Sequence, residues 1–292
     1  MATQRPKHVG ADAVSMRAVW LGAIRRRRSW PALAAVLAVV VLGPEGSTGA
    51  ASAPRRSEVI VIDAGHGGAD FGARGRRGVL EKTVVLQVAK RIGQRLSDRG
   101  FRVVFTRDGD DFVSLTERTE IANRARGDLF LSIHANSAAS AKVEGAETYF
   151  LSLDASDDEA MRVAMIENQV FRQEGTSPDD SYLVGSILGD LIRTEHLRVS
   201  SEVAAAVQRR LAELGASRGV KQAPFVVLVG VNMPAALVEL GFLTHPAEER
   251  KLRQRKYQQD MADAISDAVG TYYQTRGPRE AGVPPSKQRA DR

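Results

Sequence analysis

The chain has 292 residues, of which 43% are apolar and 26% are charged, and this is enough for one large domain or two small ones. Its net charge of +6 arises mostly in residues 1–53, which hold seven of the 41 Lys and Arg but two of the 35 Asp and Glu. Because the rest carries 34 basic against 33 acidic side chains and no cysteine, composition argues against a nucleic-acid partner and excludes disulfides and thiolate metal ligands.

Residues 1–53 have the organisation of a leader for export. A basic block at Arg25–Arg28 precedes an apolar run at Pro31–Leu42 and a small-residue stretch at Gly43–Ala53. This order is typical of a secretory signal, and the apolar run is too short to span a bilayer comfortably. We therefore predict a periplasmic or otherwise extracytoplasmic protein with no stable membrane span once the leader is removed. An uncleaved membrane anchor is the alternative, and the Sec and twin-arginine routes both stay open.

After the leader, apolar segments with the length of strands recur along the chain. The first is a run of β-branched residues that ends in a glycine-rich turn, as expected of a fully buried strand. In chain order, we expect strands at Val59–Asp63, Arg102–Thr106, Asp128–Ile133, Gly145–Leu151, Phe225–Val229 and Ala235–Leu240.

Helical periodicity fills most of the intervals between these strands. In chain order, we expect helices at 79–99, 114–125, 157–172, 183–195, 200–214 and 254–273. The helices after the fourth strand interrupt the alternation, and we assign about residues 155–200 to a helical insert. Strands that alternate with helices predict an α/β domain with a largely parallel sheet and helices on both faces. Residues 276–292 are polar with Gly and Pro, and we predict a disordered tail there.

Three of the predicted strands end in side chains suited to chemistry. His66 follows the first strand, His134 follows the third, and Glu239 lies at the end of the last. Because ligands gather outside the carboxyl ends of strands in open α/β sheets, we expect these side chains to meet, together with Glu81 after the first loop. Two imidazoles, one carboxylate and a position for water form the ligand set of catalytic zinc. The alternatives are structural, since a lone histidine often packs in a core and Glu239 would form a salt bridge.

Six short motifs match those of one protein family and follow one another in the same order as in that family. They are the segments Ile62–Gly68, Glu81-Lys82, Thr106-Arg107, Arg118–Asn123, Ser132–Asn136 and Val238–Leu243. Through these motifs, about residues 57–275 resemble the catalytic domain of zinc-dependent N-acetylmuramoyl-L-alanine amidases of the cell-wall and cell-division type. The sequence departs from that family at His245, where the family often has asparagine, and we assign His245 to helix capping.

The resemblance implies a single domain with a six-stranded, mostly parallel sheet flanked by helices. It also implies that His66, Glu81 and His134 bind Zn²⁺ and that Glu239 is the catalytic acid/base. The implied reaction is hydrolysis of the amide between N-acetylmuramic acid and L-alanine in peptidoglycan, for cell-wall remodelling and daughter-cell separation. Two alternatives are a non-catalytic peptidoglycan-binding scaffold and a zinc peptidase that cuts within the stem peptide.

Glu167 interrupts the apolar stripe of the helix predicted at 157–172. A carboxylate in that stripe needs a partner, either an open metal position or water at the edge of the helix. Cell-division amidases of this family are similar in carrying an extra helical segment that begins near a Glu-Asn pair, here Glu167-Asn168. The resemblance implies that Glu167 makes an inhibitory contact with zinc and that the helix at 183–195 docks a LytM-type activator.

Overall fold

The computed structural model describes residues 57–169 and 194–276 of the chain. The predicted leader at 1–53, the predicted tail beyond residue 276 and nearly all of the helix predicted at 183–195 lie outside the described residues. Within the described ranges, no helix is both long enough and apolar enough to cross a membrane.

One six-stranded sheet forms the centre of the described residues, and it confirms the predicted α/β class. Its strands are β1 (Val59–Ala64), β2 (Arg102–Phe105), β3 (Leu129–Asn136), β4 (Ala146–Leu151), β5 (Ser217–Ala223) and β6 (Ala235–Phe242). They lie side by side in the order β2-β1-β3-β6-β4-β5. The strands β2, β1, β3 and β6 are parallel, whereas β4 runs antiparallel to β6 and parallel to β5. The sheet is therefore mostly parallel.

Helices cover both faces of this sheet. They are α1 (Glu81–Asp98), α2 (Leu115–Ala125), α3 (Asp158–Glu167), α4 (Thr194–Ala212), α5 (Val226–Val229), α6 (Pro246–Leu252) and α7 (Arg255–Arg276). The helices α1, α4 and α7 pack against one face and share a core with alternate residues of β1, β3 and β6. The helices α2, α3 and α5 cover the other face. Each face thus has its own apolar core, as the alternation of strand side chains requires.

One predicted strand is wrong. The sequence predicts a strand at 225–229, but the structure places the short helix α5 at Val226–Val229 and the sheet's edge strand at Ser217–Ala223. A short buried apolar run cannot be told from a buried helical turn by its pattern. The edge strand β5 is not predicted because it contains no apolar run. Most of its residues are polar, and about half of them are exposed.

Side chains cap the first turns of α3 and α6. Asp157 caps α3, since its Oδ1 accepts the Ala160 N–H at 2.7 Å. His245 caps α6, since its Nδ1 accepts the Glu248 N–H at 3.4 Å, which confirms the capping prediction. The helix α3 ends at Glu167, and the last part of the helix predicted to residue 172 lies outside the described residues.

Candidate metal centre

The carboxyl ends of the parallel strands bring the predicted side chains together. His134 on β3 and Glu239 on β6 are direct partners in the ladder between these strands. His66 lies just after β1, and Glu81 is the first residue of α1. These elements converge at one edge of the sheet, as expected for an open α/β fold.

Four buried or nearly buried side chains meet there with ligand atoms within 4.8 Å of one another: His66, Glu81, His134 and Glu167. His66 Nε2 lies 3.1 Å from Glu81 Oε2 and 3.3 Å from Glu167 Oε2. His134 Nδ1 lies 3.1 Å from Glu81 Oε1 and 3.0 Å from Glu167 Oε2. The structure therefore groups three predicted ligands with the predicted inhibitory glutamate.

These separations fit a small divalent cation. Ligand atoms at the corners of a zinc tetrahedron with bonds of ~2.0–2.1 Å lie about 3.3 Å apart, close to the distances observed here. His66 Nδ1 is 2.8 Å from Asp70 Oδ2, which leaves Nε2 as the ligand atom and fixes the ring. Glu81 is held in turn by the N–H groups of Ala73 and Ala135, at 2.7 and 2.9 Å.

The electrostatics of the cluster also favour a divalent cation. Burial alone would lower the pKa of His134, but the Glu167 and Glu81 carboxylates outweigh it and raise this pKa to about 10. Burial opposes the shift at His66 as well, yet Glu81, Asp70 and Glu167 raise its pKa well above the ordinary value. The carboxylates thus draw positive charge into a site nearly closed to water, which is what a divalent cation supplies.

Glu239 lies beside this cluster but is not part of it. Its side chain is fully buried, and neither carboxylate oxygen has a hydrogen-bond partner among the described residues. Burial, and then the negative charge of Glu167, raise the pKa of Glu239 well above its ordinary value. A buried, unpartnered carboxyl group with a raised pKa next to a metal site is a candidate acid/base.

Two arginines brace the turn that carries His66. Arg107 donates from Nε to Ala64 O and from Nη2 to Gly65 O, at 2.8 and 2.7 Å. Arg118 donates from Nη2 to His66 O at 2.7 Å and forms an ion pair with the buried Asp63. Sequence reasoning did not assign these arginines to the turn, because backbone carbonyl contacts leave no pattern in the sequence.

Asp70 is a further residue that sequence reasoning missed. It lies in the glycine-rich loop after β1, where an aspartate is an ordinary turn residue. Its contact with His66 depends on the path of that loop, which the residue types alone do not determine.

Comparisons with known proteins agree on one family. A family model described as N-acetylmuramoyl-L-alanine amidase matches residues 60–271. The N-acetylmuramoyl-L-alanine amidase AmiA of Escherichia coli (strain K12) is 37% identical over 219 residues, which are 74% of this chain and 76% of that protein.

Solved structures give the same result. The N-acetylmuramoyl-L-alanine amidase AmiC2 of Nostoc punctiforme is 31% identical with a TM-score of 0.58, over 76% of this chain and 99% of that one. An N-acetylmuramoyl-L-alanine amidase from Clostridium difficile 630 is 29% identical, also with a TM-score of 0.58, over 76% of this chain and 99% of that one.

Proposed function

The chain belongs to the N-acetylmuramoyl-L-alanine amidase family. We propose that it uses zinc to hydrolyse peptidoglycan and that α3 inhibits this activity. The bond cleaved joins the lactyl group of N-acetylmuramic acid to L-alanine of the stem peptide. The observation that supports this proposal best is a cluster of two imidazoles and a carboxylate beside the buried, unpartnered Glu239.

We assign His66, Glu81 and His134 as the zinc ligands. A zinc ion held there would supply Lewis acidity, which polarises an amide carbonyl and makes water acidic enough to attack near neutral pH. The protein supplies orientation, through the contacts of Asp70 with His66 and of Ala73 and Ala135 with Glu81.

We assign Glu239 as the catalytic acid/base. Its free carboxylate oxygens let it take a proton from the attacking water and return it to the departing amine nitrogen of L-alanine. Such proton transfer typically contributes ~10²–10⁴-fold to the rate. The low exposure of the carboxyl group keeps bulk water away from this proton.

We assign Glu167 as an inhibitory group at the end of α3. Its Oε2 lies within 3.3 Å of ligand atoms of both histidines, in the corner of the cluster that substrate and water would need. An activator shifts this equilibrium only if it binds the open state better than the closed one. We propose that a LytM-type protein does so through residues 183–195, during cell-wall remodelling and daughter-cell separation.

We further propose that the protein is exported. Its substrate lies outside the cytoplasm, and the leader pattern at residues 1–53 is that of a secretory signal. In this organisation, residues 57–275 are the catalytic domain and residues 276–292 are a tail.

Digestion of purified sacculi followed by mass spectrometry tests the function. The zinc-loaded chain is expected to release free stem peptides and leave intact glycan strands. Cuts within the stem would instead indicate a peptidase, and absence of products would indicate a binding scaffold. The Glu167→Ala chain is assayed in parallel, because an enzyme inhibited by α3 would otherwise look like a protein without catalytic activity.

The Glu239→Gln chain tests the assigned acid/base. We expect it to keep about one zinc per chain, measured by elemental analysis, and to lose at least ~10²-fold in turnover. The matched control is Glu213→Gln, at an exposed glutamate paired with Arg210. Loss of zinc in Glu239→Gln, or full activity, would contradict the assignment.

A further inference from the structure

A second charged cluster lies next to Glu239 and has no part in the mechanism above. Glu147 on β4 is fully buried and is the direct ladder partner of Glu239 on β6. Two cations of β5 converge on its Oε2, with Arg218 Nε at 3.1 Å and Lys221 Nζ at 3.2 Å. Asn136 donates to its other oxygen at 3.0 Å.

A β-bulge brings both cations to the same carboxylate. Arg218 and Lys221 are three positions apart, so in a regular strand their side chains would point to opposite faces. The register between β4 and β5 shifts by one residue at Ala146–Glu147, and Gly219 there has a φ of 84°. A Cβ at Gly219 would meet nothing within 4 Å, so the backbone conformation rather than space favours glycine. Bulges often redirect side chains next to active sites.

Glu147 offers one negative charge to two cations, of which Lys221 is nearly buried and Arg218 is partly buried. The exposed fraction of the side chain is 22% for Arg218 and 10% for Lys221. The positive charge that Glu147 leaves unbalanced is neutralised by two carboxylates at the start of α3. Glu159 contacts Arg218, and Asp157 Oδ2 lies 3.4 Å from Lys221 Nζ. Because enclosed cations are costly without counter-charge, removal of α3 would leave a site that favours another carboxylate.

The helix α3 joins this cluster to the metal centre. Glu167 lies eight positions after Glu159, which corresponds to about 12 Å along a helix. Three to four residues of extended peptide span the same length at ~3.3–3.6 Å each. The part of a stem peptide beyond its L-alanine has this length, so it could follow α3 from the candidate metal centre to the two cations.

We propose that Arg218 and Lys221 form a subsite for a stem-peptide carboxylate, and that Asp157 and Glu159 occupy it in the docked state of α3 as substitutes for the substrate. The inference rests on the proposed function, because it takes peptidoglycan stems as the ligand. In this arrangement α3 blocks the substrate site at two places. Glu167 occupies the candidate metal centre, and the first turn of α3 occupies the carboxylate subsite.

Binding of a free tripeptide, L-alanyl-γ-D-glutamyl-diaminopimelate, tests the subsite without turnover. Calorimetry compares this peptide with the same peptide after conversion of its carboxylates to amides. We expect the carboxylate form to bind about tenfold or more tightly than the amide form, and Arg218→Gln or Lys221→Gln to remove this preference. Asp157→Asn combined with Glu159→Gln is expected to tighten binding of the carboxylate form about tenfold, because Asn keeps the helix cap.

The matched control is Arg95→Gln. It removes the same charge and an ion pair, with Asp263, but lies on α1 at the opposite face of the sheet. Steady-state kinetics on N-acetylmuramoyl tripeptide provide a second readout, in which Arg218→Gln raises KM about tenfold or more for the carboxylate substrate and not for its amide. If Arg218→Gln folds poorly, Arg218→Lys is used as a second variant. It keeps the charge and should retain most of the affinity for the carboxylate peptide.

Two outcomes separate this inference from the proposed function. Equal binding of the carboxylate and amide peptides, or an Arg218→Gln chain that behaves like Arg95→Gln, would overturn the subsite while amidase activity stands. Charge-dependent tripeptide binding in a zinc-loaded chain that cleaves no amide would support the subsite and contradict the proposed function.

Discussion

His66 adopts a left-handed backbone conformation with a φ of 60°, and only Gly65 separates it from a strand with every residue buried. Such a conformation is costly for a residue with a side chain, and it persists where the surroundings enforce it. Here Arg107 and Arg118 hold the carbonyls of the turn, and Asp70 holds the ring. The strained backbone thus directs one ring nitrogen into the cluster.

Gly65 allows the His134 ring to lie against this turn. A Cβ at Gly65 would lie 2.4–2.8 Å from three atoms of that ring. We predict that Gly65→Ala displaces His134 and weakens zinc binding by about 10–100-fold, as loss of ligand orientation does. Competition with a chelator measures this affinity.

Gly215→Ala is the control for that substitution, because the nearest atom to its Cβ would be Lys251 Nζ at 3.8 Å. Zinc affinity in Gly65→Ala equal to that of Gly215→Ala would refute the steric account.

Asp63 is a fully buried anion that supports the same turn. Burial would raise the pKa of Asp63, but Arg118, Thr106 and Ser132 together outweigh it and lower this pKa below the ordinary value. A lowered folded-state pKa gives stability that is complete above the unfolded pKa of ~3.9 and is lost as the pH falls through the folded value.

We therefore predict that Asp63→Asn lowers the free energy of unfolding by about 3–5 kcal/mol at pH 7, because Arg118 loses its buried counter-charge. The difference between the two chains should shrink as the pH falls below ~4. Urea denaturation at several pH values measures it, with the exposed Asp154→Asn as control. A difference that stays constant with pH would contradict the ion-pair account.

At the scale of elements, α3 combines an apolar anchor with a polar end. Ala160, Val163 and Ala164 pack into the core that contains Tyr149 and Phe225. This apolar side brings Glu167, at the end of α3, within 3.3 Å of His66 and 3.0 Å of His134.

Replacement of Glu167 by alanine should uncover the cluster without unfolding the helix, because alanine is a good helix former. We predict that basal hydrolysis of sacculi rises by about 5–150-fold, the range of a coupling of ~1–3 kcal/mol. Release of soluble peptide over time measures this rate. Asp158→Ala, at an exposed position in the first turn of α3, is the control. Unchanged hydrolysis in a folded, zinc-loaded Glu167→Ala chain would count against inhibition by α3.

Elements with a clear period were predictable, and the edge strand was not. The buried strands β1, β3 and β6 each begin with a run of at least three apolar residues, and α1 has apolar residues at the helical period. The segment Ser217–Ala223 has neither signal, because its bulge and its ion pairs replace the alternation of an ordinary edge strand. Arg218 and Lys221 were missed for the same reason.

At the scale of the whole molecule, the parallel sheet explains why the grouping of the candidate metal ligands could be predicted from the sequence. Strand ends that are far apart in sequence meet at one edge of a parallel sheet, so the sequence alone predicts that His66, His134 and Glu239 converge there. Contacts made by loops, such as that of Asp70 with His66, depend on three-dimensional paths that no sequence period encodes.

The described residues contain all the parts that the proposed mechanism needs. The metal cluster and Glu239 fall within residues 66–239, and α7 completes the core beneath the sheet with Met261, Ile265 and Val269. Burial of three such side chains contributes roughly 5–9 kcal/mol, a large part of the ~5–15 kcal/mol that stabilises a typical domain.

We therefore predict that a fragment of residues 57–276 folds cooperatively, binds one zinc and hydrolyses sacculi at the rate of the full chain. A fragment that ends at residue 254 lacks α7 and is expected to unfold, because its apolar partners on α1 and α4 would be exposed to water. Thermal denaturation, zinc content and peptide release measure the three properties. A fragment 57–276 that aggregates or fails to bind zinc would show that residues before 57 or after 276 belong to the folded unit.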